Sequence, residues 1–177
     1  PLSRNDSPFP PAVFLRHTRL TRPDAAMKDF ASGYAPNKRS LIRMMTKLRE
    51  RIEFMPGVTT VTHTAPEAFG QGQGVCQDHT HIFIGCCRHI GVPVRYVSGY
   101  VLADTDQHVS THAWAEAFLG HNWHTFDVVN ILTVADNHIK LAVGLDYLDA
   151  APVRGVRSGG GTEHMETHAL VTDVRDQ

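Results

Sequence analysis

The segment from residue 72 to residue 90 constrains the fold more than any other part of the chain. It opens with glycines that predict a turn, and after Cys76 its apolar positions recur at helical spacing as far as Ile90. A Gly-Val-Pro sequence follows directly and is typical of a helix end. These signals predict a helix with Cys76 at or just before its N-terminus.

A cysteine at that place has a chemical consequence. The backbone N–H groups at the start of a helix are unpaired, and with the positive end of the helix dipole they favour a thiolate, which is the nucleophilic form. A free cysteine can equally be an inert, small apolar residue of the core. This segment alone leaves both interpretations of Cys76 open.

The composition limits the class of protein. A chain of 177 residues with 42% hydrophobic and 20% charged residues is predicted to form one domain with its own core. A net charge of −1 gives no electrostatic basis for binding nucleic acid or an anionic membrane. No apolar run approaches the roughly 18 residues of a membrane span, and we expect no signal peptide. Because three cysteines, two of them adjacent, make no disulfide framework, we expect a reducing cytoplasm.

Helical patterns come first along the chain and strand patterns later, which predicts an α+β fold with an antiparallel sheet. Residues 1–20 carry four prolines and no clean period, so we predict an extended linker or the remnant of something upstream, followed by one domain over residues 21–177. Besides the helix after Cys76, the patterns predict helices over 23–31, 38–54 and 65–69, strands over 94–103, 111–119, 122–128, 139–143 and 165–174, and a glycine-rich loop over 152–161.

Two of these strands flank Gly120-His121 and predict a hairpin. A two-residue or four-residue loop centred there pairs residues whose numbers sum to 241. His112 and Asp127 are then diagonal neighbours on one face, about 7–8 Å apart, which side chains can bridge. A three-residue loop would put them on opposite faces. The commoner turns therefore favour an imidazole held by a carboxylate.

The opposite face of the first hairpin strand offers a place for the helix of Cys76. Alternate positions there carry side chains small enough for a helix to lie close, namely Ala113, Ala115 and Ala117. Spacing alone does not show that Cys76 lies near His112.

If they are close, the residues have complementary chemistry. His112 can accept the thiol proton of Cys76, and Asp127 can fix the tautomer of the ring. The backbone N–H of Cys76 can stabilise a tetrahedral oxyanion, with Gln71 or Gln73 as candidates for a second donor.

Four separated motifs, in this order, resemble the bacterial transglutaminase-like family. They are Gly-Val-Cys-Gln-Asp at 74–78, the sequence from Arg88 to Tyr100, His-Ala-Trp-Ala-Glu at 112–116 and Trp-His-Thr-Phe-Asp at 123–127. The tail of the chain is also similar to the family, at positions 138–139, 143–144, 146–147 and 151–156. The resemblance covers roughly residues 20 to 177. It implies a papain-like core and thiol acyl-transfer chemistry on amide or peptide bonds, with Cys76, His112 and Asp127 as the Cys-His-Asp triad.

The chain departs from the family in two respects. The family usually has Pro-Thr-Asn-Gly after its catalytic Asp, whereas this chain has Val128-Val129-Asn130-Ile131, so we expect a different turn behind Asp127. Many relatives also carry a β-rich domain upstream, and we expect no substrate contacts from such a domain here.

A zinc site is one rival function. His79 with His81, or His121 with His124 and the adjacent cysteines Cys86-Cys87, supply the ligand types. However, the chain has no Cys-x-x-Cys or His-Glu-x-x-His motif, and the spacing of His79 and His81 splays their side chains across a helix. We therefore predict no metal and no cofactor, and we assign the adjacent cysteines to the core.

A non-catalytic scaffold of the same fold is the second rival. The intact Cys, His and Asp count against it, since a binding role does not require all three. The prediction is a thiol-dependent acyl-transfer enzyme of the cysteine protease or amidase type that acts on a peptide or protein substrate. Hydrolysis is the expected outcome, and protein-glutamine amine transfer, which cross-links, is the alternative. The sequence leaves the oligomeric state open.

Three smaller predictions concern single side chains. Asp78 lies in the first turn of the helix, where a carboxylate suits the dipole, so we assign it a structural role. We expect Arg95 to pair with a buried carboxylate. For Trp114 and Trp123, a cleft wall and simple packing remain equal alternatives.

Overall fold

The computed structural model describes residues 3–4, 9–102 and 109–151, with side chains from 9 to 101 and from 111 to 151. Side-chain caps set the start of several helices, because they satisfy backbone N–H groups that a first helical turn leaves unpaired. The Asp24 side chain accepts from the Met27 backbone N–H, and the Asn37 side chain accepts from the Ser40 backbone N–H. The helices are α1 (Ala25–Ser32), α2 (Lys38–Arg51), α3 (Ala65–Gln71), α4 (Cys76–His89) and α5 (Tyr147–Ala150), with a 3₁₀ turn at Pro11–Leu15.

The main sheet has five strands, and every neighbouring pair in it is antiparallel. Its strands are β1 (Ser3–Arg4), β4 (Val94–Leu102), β5 (Val109–Leu119), β6 (Asn122–Phe126) and β7 (His138–Gly144), in the order β1-β6-β5-β4-β7. A separate parallel pair joins β2 (Glu53–Phe54) to β3 (Gln73–Gly74). This α+β architecture is the one predicted from the order of the helical and strand patterns.

Helix α4 is the central element of the fold. Every residue from Gln77 to Arg88 is buried, because the sheet covers one side of the helix and α1, α2 and α3 cover others. The small side chains of β5 let the helix approach closely, and Thr80 Oγ1 donates to the Ala113 carbonyl at 3.2 Å. Cys86 and Cys87 lie in this core, as predicted.

The hairpin of β5 and β6 has the predicted register. Ala115 pairs with Phe126 and Leu119 with Asn122, so the paired numbers sum to 241. The turn needs a glycine, since Gly120 has φ +64°, which L side chains rarely adopt.

The described residues of the N-terminal segment, for which we expected an extended linker or the remnant of something upstream, pack against the rest of the fold. Phe14 and Leu20 are buried, and β1 extends the sheet beyond β6. The buried guanidinium of Arg88 anchors this segment by donating to the Phe14 carbonyl at 2.8 Å. It also donates to the Val94 and Leu145 carbonyls, so one side chain joins the N-terminal segment to the end of the sheet where β4 begins and β7 ends.

Other differences are smaller. The helix predicted over 38–54 ends at Arg51, because the next residues leave it to pair with β3, and α5 was not predicted. The predicted loop over 152–161 and strand over 165–174 lie outside the described residues, and the division of the chain at residue 20 or 21 stays a prediction. Among the described residues, no helix is long and apolar enough to cross a membrane.

Candidate active site

Cys76 is the first residue of α4, at the helix N-terminus that the sequence predicted. Val75 has no side chain that could cap the helix, so Asp78 reaches back, accepting from the Val75 N–H at 2.8 Å and from Thr59 Oγ1 at 2.7 Å. Asp78 thus has the predicted structural role. The Cys76 side chain is half-buried, whereas Cys86 and Cys87 are buried, and its backbone N–H has no hydrogen-bond partner among the described residues.

His112 and Asp127 are hydrogen-bonded, with His112 Nε2 donating to Asp127 Oδ2 at 2.8 Å. The hairpin register places them on one face, since His112 lies in β5 and Asp127 directly follows β6. The structure therefore contains the imidazole–carboxylate pair that the commoner turns favoured.

The turn after Asp127 holds the carboxylate by local hydrogen bonds. The Asn130 backbone N–H donates to Oδ1 at 3.2 Å, and its side-chain amide donates to Oδ2 at 2.8 Å. Asp127 and Leu132 exchange backbone hydrogen bonds across the turn. Ile131, where the family usually has glycine, has φ +54° and is strained. The unusual sequence therefore still presents the carboxylate.

The electrostatics of His112 connect it to Cys76 as well. Burial alone would lower the pKa of the ring, but hydrogen bonds with Asp127 and with the Cys76 thiol raise that pKa to about 9. Since Asp127 takes Nε2, the ring nitrogen that can exchange a proton with the thiol is Nδ1. His112 thus carries a positive charge at neutral pH beside a potential thiolate.

Asp127 stays ionised although it is fully buried. Burial works to raise the pKa of its carboxyl group, but hydrogen bonds from His112, His138 and Asn130 hold that pKa well below its usual range. The Asp127 carboxylate is therefore negatively charged at neutral pH and stabilises a protonated His112.

His138 is a part of this site that sequence reasoning missed. Its Nε2 lies 2.9 Å from Asp127 Oδ2, and its side chain is 1% exposed. The strand containing it was predicted to start one residue later, and a strand pattern alone does not show which strand it pairs with. The only signal was its place in the tail that resembles the transglutaminase-like family.

A cavity of about 250 Å³ opens beside Cys76, between the start of α4, strands β4 and β5, and α5. Its lining includes Cys76 itself, His112, Tyr96 and Tyr147. The candidates for a second oxyanion donor, Gln71 and Gln73, are not among its lining residues. The cavity therefore offers space for a small group next to the sulfur.

The histidines that were considered as zinc ligands do not form the zinc sites considered. Both ring nitrogens of His79 contact backbone carbonyls. His81 accepts from the Tyr147 N–H, and burial lowers the pKa of its ring to about 3. His121 and His124 cannot share a metal with Cys86 and Cys87, which are enclosed in the core.

Within the described part of the chain, one group has the donor types and proximity of a metal site: His112, Asp127 and His138. The separations of 2.8 and 2.9 Å from Oδ2 to the two ring nitrogens are those of hydrogen bonds. Ligand atoms around a tetrahedral zinc ion lie farther apart, at about 3.3 Å. We therefore interpret the group as a hydrogen-bonded cluster.

Two further expectations concern the surroundings of the cluster. Arg95 pairs with buried Glu116, its Nε donating to Oε2 at 2.6 Å, as expected. Trp114 packs against both His112 and His138, whereas Trp123 packs against Phe14 and Phe118 outside the site. Trp114 is thus a wall of the cluster and Trp123 a core residue.

The sequence of the chain is similar to those of known proteins. A profile of the transglutaminase-like superfamily matches residues 24–128. An uncharacterised protein of Mycobacterium leprae is 33% identical over 158 residues, covering 86% of this chain and 56% of that protein. One of Mycobacterium tuberculosis is 31% identical over 147 residues, covering 74% of this chain and 47% of that protein. The chain thus spans about half the length of the curated relatives it matches.

Solved structures show the same fold. A predicted cysteine protease from Cytophaga hutchinsonii superposes with a TM-score of 0.68 at 28% identity, covering 78% of this chain and 48% of that one. LapG of Legionella pneumophila has a TM-score of 0.52 at 11% identity, over 67% of this chain and 72% of that one, which shows the fold alone.

Proposed function

The chain belongs to the transglutaminase-like superfamily, and on that premise we propose that Cys76, His112 and Asp127 form the catalytic triad of a thiol-dependent acyl-transfer enzyme. The enzyme acts on peptide or carboxamide bonds, and its substrate is a peptide or a protein. The single observation that carries the proposal is the position of His112, which lines the same cavity as Cys76, has its pKa raised by the Cys76 thiol, and is hydrogen-bonded to Asp127.

The proposed reaction begins from the ion pair in which the Cys76 proton already resides on His112, so that a thiolate lies beside an imidazolium. The thiolate attacks the substrate carbonyl carbon, a C–S bond forms, and the oxyanion is stabilised by the backbone N–H of Cys76. The tetrahedral intermediate collapses as His112 returns the proton to the leaving amine, so the C–N bond breaks and a thioester remains. Asp127 keeps the ring oriented and balances its charge throughout.

Water is the proposed acceptor in the second half of the reaction. His112 removes a proton from water, the resulting oxygen nucleophile displaces Cys76 from the thioester, and the thiol regains its proton, leaving a carboxylic acid product. An amine attacking the same thioester would give amine transfer, which is the alternative activity. We also retain the cytoplasm as the proposed compartment, because a reducing environment keeps Cys76 as a thiol.

The proposal is tested by mass spectrometry of peptide mixtures incubated with the protein, with and without added primary amines. We expect peptide-bond or side-chain amide hydrolysis with the wild type and none with Cys76→Ser. Carboxamides heavier by the mass of the added amine less that of the released ammonia would show amine transfer in place of hydrolysis. No Cys76-dependent product under any condition would favour the non-catalytic scaffold.

A further inference from the structure

We propose that His138 is a positioning residue for His112, acting through the Asp127 carboxylate that the two histidines share. The inference deepens the proposed function and rests on it, since it assigns a fourth side chain to the same site. His138 is not among the residues that line the cavity beside Cys76, so its effect on the reaction is indirect, and its hydrogen bond to Asp127 is the polar contact that can transmit it.

The first argument is the crowding of donors on one oxygen atom. Asp127 Oδ2 accepts from His112 Nε2 at 2.8 Å, from His138 Nε2 at 2.9 Å and from Asn130 Nδ2 at 2.8 Å. These donors come from β5, from β7 and from the turn after β6, so the carboxylate is held from three directions. Three donors on a fully buried oxygen leave it little freedom to rotate away from His112.

The second argument is the tautomer of His138. Its Nδ1 is buried and has no hydrogen-bond partner among the described residues. A proton on that atom would be buried without an acceptor, which is costly, whereas the proton on Nε2 has Asp127 to receive it. His138 is therefore fixed as a donor at Nε2, and His112 is the ring of the pair that exchanges protons during the reaction.

The third argument is the common wall behind both rings. The indole of Trp114 stacks on His112 at 6.2 Å between centroids and meets His138 edge-on at 4.8 Å. The two imidazoles lie 5.8 Å apart. Trp114 is 1% exposed, so both rings rest against a side chain that cannot easily move.

Removing the His138 donor has a predictable electrostatic result. The titratable groups that face His112 are the Cys76 thiol from α4, Asp127 after β6 and His138 from β7. With one donor fewer, the negative charge of Asp127 is less dispersed and attracts the proton of His112 more strongly. The midpoint of the His112 titration should therefore rise, and proton return to the leaving group should slow.

The experiment compares His138→Gln with His138→Asn. A glutamine amide can place an N–H near the position of Nε2, whereas the shorter asparagine amide falls near Nδ1 and cannot reach Asp127. Both replacements are polar and similar in size, and their folding is checked by thermal melting. His124→Gln, which removes a half-buried histidine away from the cluster, is the matched control.

The first readout is the pH titration of the His112 ring, followed by NMR of 13C-labelled histidine, which needs no substrate. We expect His138→Asn to raise the midpoint by at least about 0.5 pH unit and His138→Gln to restore it. The second readout is the rate of the Cys76-dependent reaction, which should fall by about tenfold in His138→Asn and recover in His138→Gln.

Unchanged His112 midpoints in both variants would overturn the positioning role, as would equal losses of rate in both. The His112 midpoints can be measured whether or not the wild type shows activity. The proposed function fails by a different result, namely the absence of any Cys76-dependent product from the wild type.

Discussion

His112 Nε2 lies 2.8 Å from Asp127 Oδ2, although fifteen positions separate the two residues along the chain. A tight hairpin turn at Gly120 brings them together, and a one-residue slip in its register would move Asp127 to the other face of the sheet. The contact between His112 and Asp127 therefore depends on the length of the turn at Gly120.

Asp127→Asn should lower the pKa of His112. The neutral amide cannot balance a protonated ring, so the titration midpoint should fall from about 9 toward the ordinary 6.5, by at least about one unit. The Cys76-dependent rate should fall by at least about a hundredfold. NMR titration of labelled histidine checks the midpoint, and an unshifted midpoint would mean that Asp127 does not set the charge of His112.

The same raised pKa predicts how stability varies with pH. A group whose pKa is higher in the folded state stabilises the fold fully below its unfolded value, here about 6.5, and loses that contribution as pH rises through its folded value, here about 9. Between these values, the free energy of unfolding should fall more in the wild type than in His112→Gln. Urea denaturation at several pH values measures the difference, and parallel curves for the two proteins would contradict it.

Ile131 predicts a stabilising substitution. Its φ of +54° is unfavourable for a β-branched residue, and its side chain is 45% exposed, so little burial is lost on removing it. Ile131→Gly should raise the free energy of unfolding by about 0.5–1 kcal/mol, net of the greater flexibility of glycine in the unfolded chain.

Ile131→Ala is the matched control for this substitution, because it also removes the side chain but keeps the strained φ. It should be less stable than Ile131→Gly in urea denaturation. Equal stability of the two variants would show that the backbone strain at this position has no measurable cost.

The predictable parts of the structure were those set by local sequence. The periodicity after Cys76 located α4, and the turn at Gly120-His121 fixed the hairpin register, because both signals span few residues. The α+β class followed from the order of the patterns. The proximity of Cys76 to His112 was supported by resemblance to a family, not by spacing.

The missed parts depend on packing between distant segments. His138 reaches Asp127 through the pairing of β7 with β4, which contains an irregularity between Ser98 and Gly99 that no pattern in the sequence reveals. Arg88 is similar, since its partners, Phe14 and Leu145, lie 74 and 57 positions away. Buried polar side chains of this kind are recognised only when their partners are known.

Alkylation of the three cysteines by iodoacetamide near neutral pH, followed by peptide mass spectrometry, tests the central claim most directly. An imidazolium beside Cys76 predicts that this thiol reacts faster than Cys86 and Cys87 by at least about a hundredfold, since burial raises the pKa of the Cys86 thiol to about 12 and that of Cys87 well above its usual value. His112→Ala should slow Cys76 by at least about tenfold. An unchanged rate in that variant, or equal slow labelling of all three thiols in the wild type, would contradict the account.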